Sequence, residues 1–120
     1  MRTILATLAF GLLAASPAHA TGGFLCKTAG DTPVELGIGF GHVLGGPLIG
    51  HQLKRDGRTV DTRAAQWWLD DAEMRIVLTD ADGLERVAEM RTERQANFGA
   101  TFDGYVIVDN KRHWIRCYES

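Results

Sequence analysis

The chain has few residues that could act as a catalytic nucleophile. It contains two cysteines, Cys26 and Cys117, and the only serine beyond position 20 is Ser120, the final residue. A nucleophile needs neighbouring groups that orient and deprotonate it, and a terminal serine lacks such surroundings. Thr21 would become the first residue after removal of a leader, and that removal explains its position without catalysis. We therefore expect no nucleophilic catalysis.

Long apolar runs are absent except at the start of the chain. Arg2 precedes the almost unbroken apolar stretch Ile4–Ala15, and Ala18-His19-Ala20 supplies the small residues that precede a cleavage site. This pattern predicts a secretory signal peptide over residues 1–20, because the stretch is shorter than the roughly 20 residues of a spanning helix. We expect one mature domain of residues 21–120, in the periplasm or secreted, with no membrane anchor.

A basic stripe is also missing. Without Arg2, twelve basic residues oppose fifteen acidic ones, and the two signs alternate along segments such as Lys54-Arg55-Asp56. A mixed, mildly acidic surface offers no continuous positive patch for phosphate groups. We therefore expect no nucleic-acid partner.

The two cysteines stand near the two ends of the predicted mature domain. In an oxidising compartment such a pair forms a lasting disulfide. Closing a loop of about 90 residues stabilises a fold by ~4–5 kcal/mol in the chain-entropy model, which is comparable to the whole stability of a small domain. We predict a Cys26–Cys117 disulfide, which leaves no thiolate for catalysis.

Apolar side chains alternate with small or polar ones along much of the mature chain. From Val34 to Phe40, every second residue is apolar and the residues between are Glu35 and glycines. Further groups are predicted to share a strand face: Ile49 with Leu53; Met74 with Ile76 and Leu78; Phe102 with Val106 and Val108; Ile115 with Cys117. This period of two predicts β-strands, and thirteen mature glycines suit turns and bulges.

Turn residues separate these runs. Asp56-Gly57 predicts a hairpin that pairs Leu53 with Val60, and Asp80-Ala81-Asp82-Gly83 predicts a second turn. A third hairpin is drawn around Asn110-Lys111. Its predicted pairs are Val106 with Ile115, Gly104 with Cys117, Ile107 with Trp114, and Tyr105 with Arg116.

Residues 62–69 are compatible with two structures. Asp61 or Thr62 would cap a short helical turn, whereas the adjacent Trp67 and Trp68 fit a strand equally well. Taken together, the patterns predict an all-β fold. It is a small antiparallel barrel or sandwich of about seven to eight short strands, with or without that turn, closed by one disulfide.

Patterns that often mark ligand sites lack a required element here. The glycines between positions 37 and 50 are followed by no helix start that would present amides to a phosphate. Asp80–Gly83 resembles the opening of a calcium loop, but Arg91 stands where the bidentate glutamate belongs. The mature histidines, His42, His51 and His113, lack metal-ligand spacing. We predict no metal and no cofactor.

Acidic residues form one cluster in the sequence. Asp70, Asp71 and Glu73 lie close enough along the chain to suggest acid–base chemistry. However, Leu69-Asp70-Asp71-Ala72 has the composition of a turn, and adjacent strand residues point to opposite faces. We favour the turn.

The aromatic residues form the candidate binding face. On a strand, Trp67 and Trp68 point to opposite faces, so one of them lies outside the core or at its rim. Tyr105 and Trp114 fall on the side opposite the disulfide, beside Arg116. Such residues favour binding surfaces, although a covering layer would make them a second core.

Two terminal segments carry a resemblance to a known group of proteins. Phe24-Leu25-Cys26 opens the mature domain, and Phe102-Asp103-Gly104-Tyr105 with Trp114-Ile115-Arg116-Cys117 closes it. This layout resembles small exported bacterial β-barrel proteins, among them the periplasmic and membrane-bound inhibitors of c-type lysozyme. The resemblance implies an exported barrel. Those inhibitors insert a Ser-Gly-x-x-Tyr loop into the lysozyme active site, and this chain has no such segment, so no inhibitory residue is carried over.

Three functional hypotheses follow. The first is a non-catalytic β domain that binds a protein or another component of the cell envelope through its aromatic face. The second is an inhibitor of a lysozyme-like or other secreted hydrolase. The third is a small enzyme that uses the carboxylates between Asp70 and Glu73 or a cross-strand histidine.

Overall fold

The computed structural model describes residues 21–31, 33–41, 48–96 and 101–119. The predicted signal peptide, His42 and Ser120 lie outside these ranges. The described residues form nine strands: β1 (Thr21–Thr28), β2 (Val34–Gly41), β3 (Leu48–Arg55), β4 (Arg58–Val60), β5 (Thr62–Leu69), β6 (Glu73–Asp80), β7 (Arg86–Arg94), β8 (Phe102–Val108) and β9 (Lys111–Glu119). Within these ranges, no helix is long and apolar enough to cross a membrane.

All nine strands belong to one antiparallel sheet, in the order β4-β3-β2-β1-β9-β8-β7-β6-β5. The first and last strands are therefore neighbours in its middle. Cys26 and Cys117 lie directly opposite each other across β1 and β9 and form the predicted disulfide.

The two edges of the sheet meet and nearly close it into a barrel. β4 pairs with β3, and after Asp61 the chain continues as β5, which pairs with β6. The ring nitrogen Nε2 of His51 in β3 lies 3.1 Å from Oγ1 and 3.3 Å from the carbonyl oxygen of Thr62 in β5. The barrel is confirmed, with nine strands instead of seven or eight.

Residues 62–69 form a strand and not a helical turn, because pairing with β6 satisfies their backbone groups.

Alternate residues of the strands fill the barrel interior. The core consists of Phe24, Cys26, Val34, Leu36, Ile38, Phe40, Leu53, Met74, Ile76, Leu78, Ala88, Met90, Phe102, Val106, Val108, Ile115 and Cys117. Phe24 and Phe102 meet edge to face, with ring centroids 5.4 Å apart. Full burial of side chains of this size stabilises the fold by about 1.5–3 kcal/mol each. The predicted faces of β2, β6, β8 and β9 are confirmed.

The predicted face of β3 is wrong at Ile49. Leu53 is buried, but the Ile49 side chain is 57 % exposed. The pairing of β2 with β3 shifts at this point, since Gly39 lies opposite Gly50 whereas Phe40 lies opposite Leu48. Ile49 is the extra residue of this bulge, and a bulge breaks the alternation from which its face was predicted.

Turns occupy the predicted regions, but one of them differs in register. The Asp56-Gly57 hairpin pairs Leu53 with Val60 as predicted. The last hairpin turns at Asp109-Asn110, both with positive φ (55° and 61°), and not at Asn110-Lys111. The predicted β8–β9 pairs are therefore wrong by two residues: Phe102 faces Cys117, Gly104 faces Ile115, Tyr105 faces Trp114, Val106 faces His113, and Ile107 faces Arg112. A slip of two residues keeps each side chain on its predicted face.

Candidate binding face

Five residues form a row across the outer surface of the barrel. Trp114 lies opposite Tyr105, Tyr105 opposite Arg91, Arg91 opposite Arg75, and Arg75 opposite Trp68. We call these residues the outer row. Directly opposite residues have Cβ atoms about 4.5–5.5 Å apart, so neighbouring side chains of the row are within reach of one another. The row crosses five of the nine strands and follows about half of the barrel circumference.

One end of the row is an exposed aromatic pair on β8 and β9. The side chain of Trp114 is 63 % exposed, while Tyr105 beside it is half-buried. The guanidinium of Arg112 lies over the Tyr105 ring, with its carbon 4.2 Å from the ring centroid. This cation–π contact restrains the tyrosine ring. The pair therefore presents a wide apolar surface, of which the Tyr105 ring is the restrained part.

The other end of the row is Trp68, which a turn carboxylate holds in place. The Trp68 indole Nε1 donates a hydrogen bond of 2.8 Å to Oδ2 of Asp70. The second oxygen, Oδ1, accepts hydrogen bonds of 2.8 Å from the backbone amides of Ala72 and Glu73. These hydrogen bonds, of which that from Trp68 has the largest effect, lower the pKa of Asp70 from its ordinary value of 3.8. Asp70 therefore stabilises the predicted turn and orients the indole.

Trp67 lies at the barrel seam and not in the outer row. It is opposite Ile76, whose side chain points into the core, and adjacent residues of a strand point to opposite faces. Trp67 is nevertheless 42 % exposed. β5 is the last strand of the sheet, and the adjoining β3 approaches it at His51 and Thr62. The indole is thus at the rim of the core, where the barrel is least tightly closed.

Arg116 lies next to the outer row and forms an ion pair across the sheet. Its Nε and Nη2 donate hydrogen bonds of 2.8 and 2.9 Å to the two carboxylate oxygens of Asp103, the residue opposite it on β8. Asp103 is buried, and the hydrogen bond to it is the main reason that the pKa of Arg116 is raised. Such a two-point contact holds both planar groups in a fixed orientation. Arg116 therefore stabilises the surface on which Trp114 and Tyr105 lie.

A shallow depression lies beside Trp68. Its volume is about 440 Å³, and its lining includes three members of the outer row, Trp68, Arg75 and Arg91. Gln66 and Val77, which are opposite each other on β5 and β6, also line it. The depression thus brings an indole, an amide, two guanidinium groups and the carboxylate of Glu89 to one concave surface.

The sequence reasoning missed Arg75 and Arg91. Their opposite positions depend on the register of β6 with β7, which shifts between Leu78 and Thr79. Counting back from the turn without this irregularity would place Arg75 opposite Met90, a core residue, rather than opposite Arg91. The location of a bulge is not encoded in the alternation of apolar residues.

The two described histidines that were considered as metal ligands, His51 and His113, lie in different parts of the barrel. His51 is at the seam between β3 and β5, whereas His113 lines a depression of about 600 Å³ with Arg55, Arg58 and Lys111. In the part of the chain that the structure describes, no three histidine, cysteine, aspartate or glutamate side chains are grouped so as to hold a metal ion.

Comparison of the chain with protein-family models, with curated proteins and with solved structures gives no match. The fold class is therefore defined by the structure itself: the described residues form a nearly closed, nine-stranded antiparallel barrel, and a disulfide joins the first and last of these strands.

Proposed function

We propose that this chain is an exported, non-catalytic β-barrel that binds a protein or another component of the cell envelope through its outer row. The observation that carries the proposal is the continuous row of Trp114, Tyr105, two arginines and Trp68, which curves around about half of the outer surface, so that a partner contacts both ends of the row only if it wraps the barrel. Tryptophan, tyrosine and arginine are the residues that most often contribute a large share of binding energy at interfaces.

Restraint of these side chains supports the proposal. Ordering of flexible side chains opposes association, so groups that are already held in place lose less entropy on binding. Trp68 is held by Asp70, and Tyr105 is held by Arg112.

Further apolar surface extends the row on its β9 side. Leu25 and Tyr118 lie directly opposite each other on β1 and β9, and their side chains are 40 % and 52 % exposed. Tyr118 is on the same face of β9 as Trp114, since the two are four residues apart on one strand. A partner that extends about 13 Å along β9 from Trp114 would bury these side chains as well.

The test is equilibrium binding of the purified mature domain to the envelope fraction of the source cell. We expect saturable binding that Trp114→Ala or Trp68→Ala weakens by about tenfold or more, because a hot-spot aromatic contributes more than about 1.4 kcal/mol. Leu84→Ala is the matched control, since Leu84 is an 81 % exposed apolar residue between β6 and β7 and outside the row. Binding that is absent, or equally affected by all three changes, would contradict the proposal.

A further inference from the structure

Two arginines occupy directly opposite positions in the middle of the outer row. Arg75 of β6 and Arg91 of β7 are directly opposite partners. Like charges at directly opposite positions of a sheet destabilise it. Both side chains are partly exposed, at 41 % and 54 %. The fold therefore maintains an unfavourable pair at the edge of a concave surface.

Carboxylates lie beside both arginines, and the charge of Arg75 also acts on Asp70. Nη2 of Arg75 lies 3.3 Å from a carboxylate oxygen of Glu73, and Nε of Arg91 lies 3.9 Å from one of Glu89. Exposed ion pairs at such distances contribute little. The second oxygen of Glu89 lies 3.2 Å from Arg86, so this carboxylate is shared between two cations.

One guanidinium donor in this pair is shielded and has no partner among the described residues. Arg75 Nε is shielded from solvent and has no hydrogen-bond partner. Each guanidinium carries five N–H donors. In the described part of the chain, the contacts of Arg75 with Glu73 and of Arg91 with Glu89 are ion pairs and not hydrogen bonds. A shielded donor without a partner is costly. Rotation of the Arg75 side chain toward a ligand would break no hydrogen bond.

We propose that Arg75 and Arg91 form a binding site for an oxyanion, that is, a carboxylate, sulfate or phosphate group. The proposal rests on the proposed function, since this group would belong to the envelope component that the outer row binds. Guanidinium groups bind such anions with two parallel hydrogen bonds each, and an anion between them removes the repulsion.

The depression supplies the remaining contacts. Gln66 lines it together with both arginines and with Glu89, whose oxygens lie beside Arg86 and Arg91, and the Gln66 amide can donate to a third oxygen of the anion. The Trp68 indole forms an apolar wall for whatever carries the anion. A volume of about 440 Å³ accommodates the anion and part of the molecule that bears it.

The test is a titration of the isotope-labelled mature domain with sodium sulfate, phosphate or acetate at constant ionic strength, followed by NMR. We expect saturable shifts in β5, β6 and β7, including the Trp68 indole signal, with at least one anion. Arg75→Gln and Arg91→Gln should each weaken this binding at least tenfold. Lys27→Gln, which removes one positive charge on β1, is the control and should leave it unchanged. The anion that binds most tightly identifies the group.

A second readout separates a binding site from a structural role. In chloride alone, Arg91→Gln should unfold at the same temperature as the wild type or higher, because it removes a like-charge contact. The wild type should gain thermal stability on addition of the preferred anion, since a ligand of the native state stabilises it, and the variant should gain none. Shifts that do not saturate, or that are equal in the wild type and both arginine variants, would overturn the proposal.

The outcomes distinguish this site from the proposed function. Binding of the anion by the pure domain, with no retention by envelope fractions, supports the site and contradicts the envelope function. Retention that depends on Trp114 but is unaffected by Arg75→Gln and Arg91→Gln supports the function and overturns the oxyanion site.

Discussion

Gly104 shows how much a single residue constrains the sheet. A side-chain carbon at this position of β8 would overlap the carbonyl oxygen of Arg91 and lie 2.7 Å from Cα of Thr92. We expect Gly104→Ala to lower the free energy of unfolding by about 1–3 kcal/mol or more, because the backbones of β7 and β8 must move apart. Urea denaturation measures the change. Gly37→Ala is the control, since nothing lies within 4 Å of the added carbon there, and an equal loss in both variants would contradict the account.

The contact between Asp70 and Trp68 should depend on pH. Its pKa is lowered in the folded protein, first by the hydrogen bond from Trp68, so its contribution is present above the ordinary value of 3.8 and is lost as the pH falls through the lower folded value. We predict that the Trp68 indole NH signal shifts with a midpoint below pH 3.8. Asp70→Asn should abolish this step, whereas Asp71→Asn, the neighbouring substitution, should retain it. A midpoint above pH 3.8 in the wild type would contradict the assigned contact.

Single residues also show what the sequence could predict. Alternation identified the buried positions of β2 and β6, because it depends on the burial of one sheet face and needs no knowledge of neighbouring strands. It failed at Ile49, and it could not place Arg75 opposite Arg91, because both depend on where the pairing of two strands shifts. The sequence therefore predicted the outward positions of Tyr105 and Trp114, but it did not show that Trp67 lies at the seam or that Arg75 and Arg91 join the row.

At the scale of elements, the β8–β9 hairpin shows why the register was predicted wrongly. Both central residues of the turn, Asp109 and Asn110, have positive φ, a conformation that aspartate and asparagine tolerate better than lysine. Choosing Asn110-Lys111 as the centre moved each pair by two positions. Tyr105 and Trp114 nevertheless lie on the predicted face, because side chains alternate between the two faces with a period of two residues.

The same turn provides a prediction for the hairpin. Asn110→Val should lower the free energy of unfolding by about 1–2 kcal/mol, since a β-branched residue is strained at positive φ. Asn110→Gly should cost less than the valine variant, because glycine adopts this conformation without strain. Thermal unfolding of both variants measures the difference. A valine variant as stable as the glycine variant would show that the turn is not formed by these two residues.

At the scale of the whole molecule, one covalent bond joins the two ends of the described chain. Cys26 and Cys117 are 91 residues apart in sequence and lie opposite each other in the middle of the sheet. Reduction should lower the free energy of unfolding by about 4–5 kcal/mol in the chain-entropy model. Urea denaturation with and without a reductant measures this loss. Coincident unfolding curves would mean that the bond adds no stability to the barrel.

The outer surface of the barrel, rather than its interior, is the part to which we assign function. The most direct measurement is site-specific photo-crosslinking in the intact envelope, with a photoreactive amino acid in place of Tyr105 or, as the control, in place of Leu84. We predict one discrete adduct from position 105 that Trp114→Ala removes, and none from position 84. Adducts of equal yield from both positions, or no adduct from position 105 in the folded and exported protein, would contradict binding through the outer row.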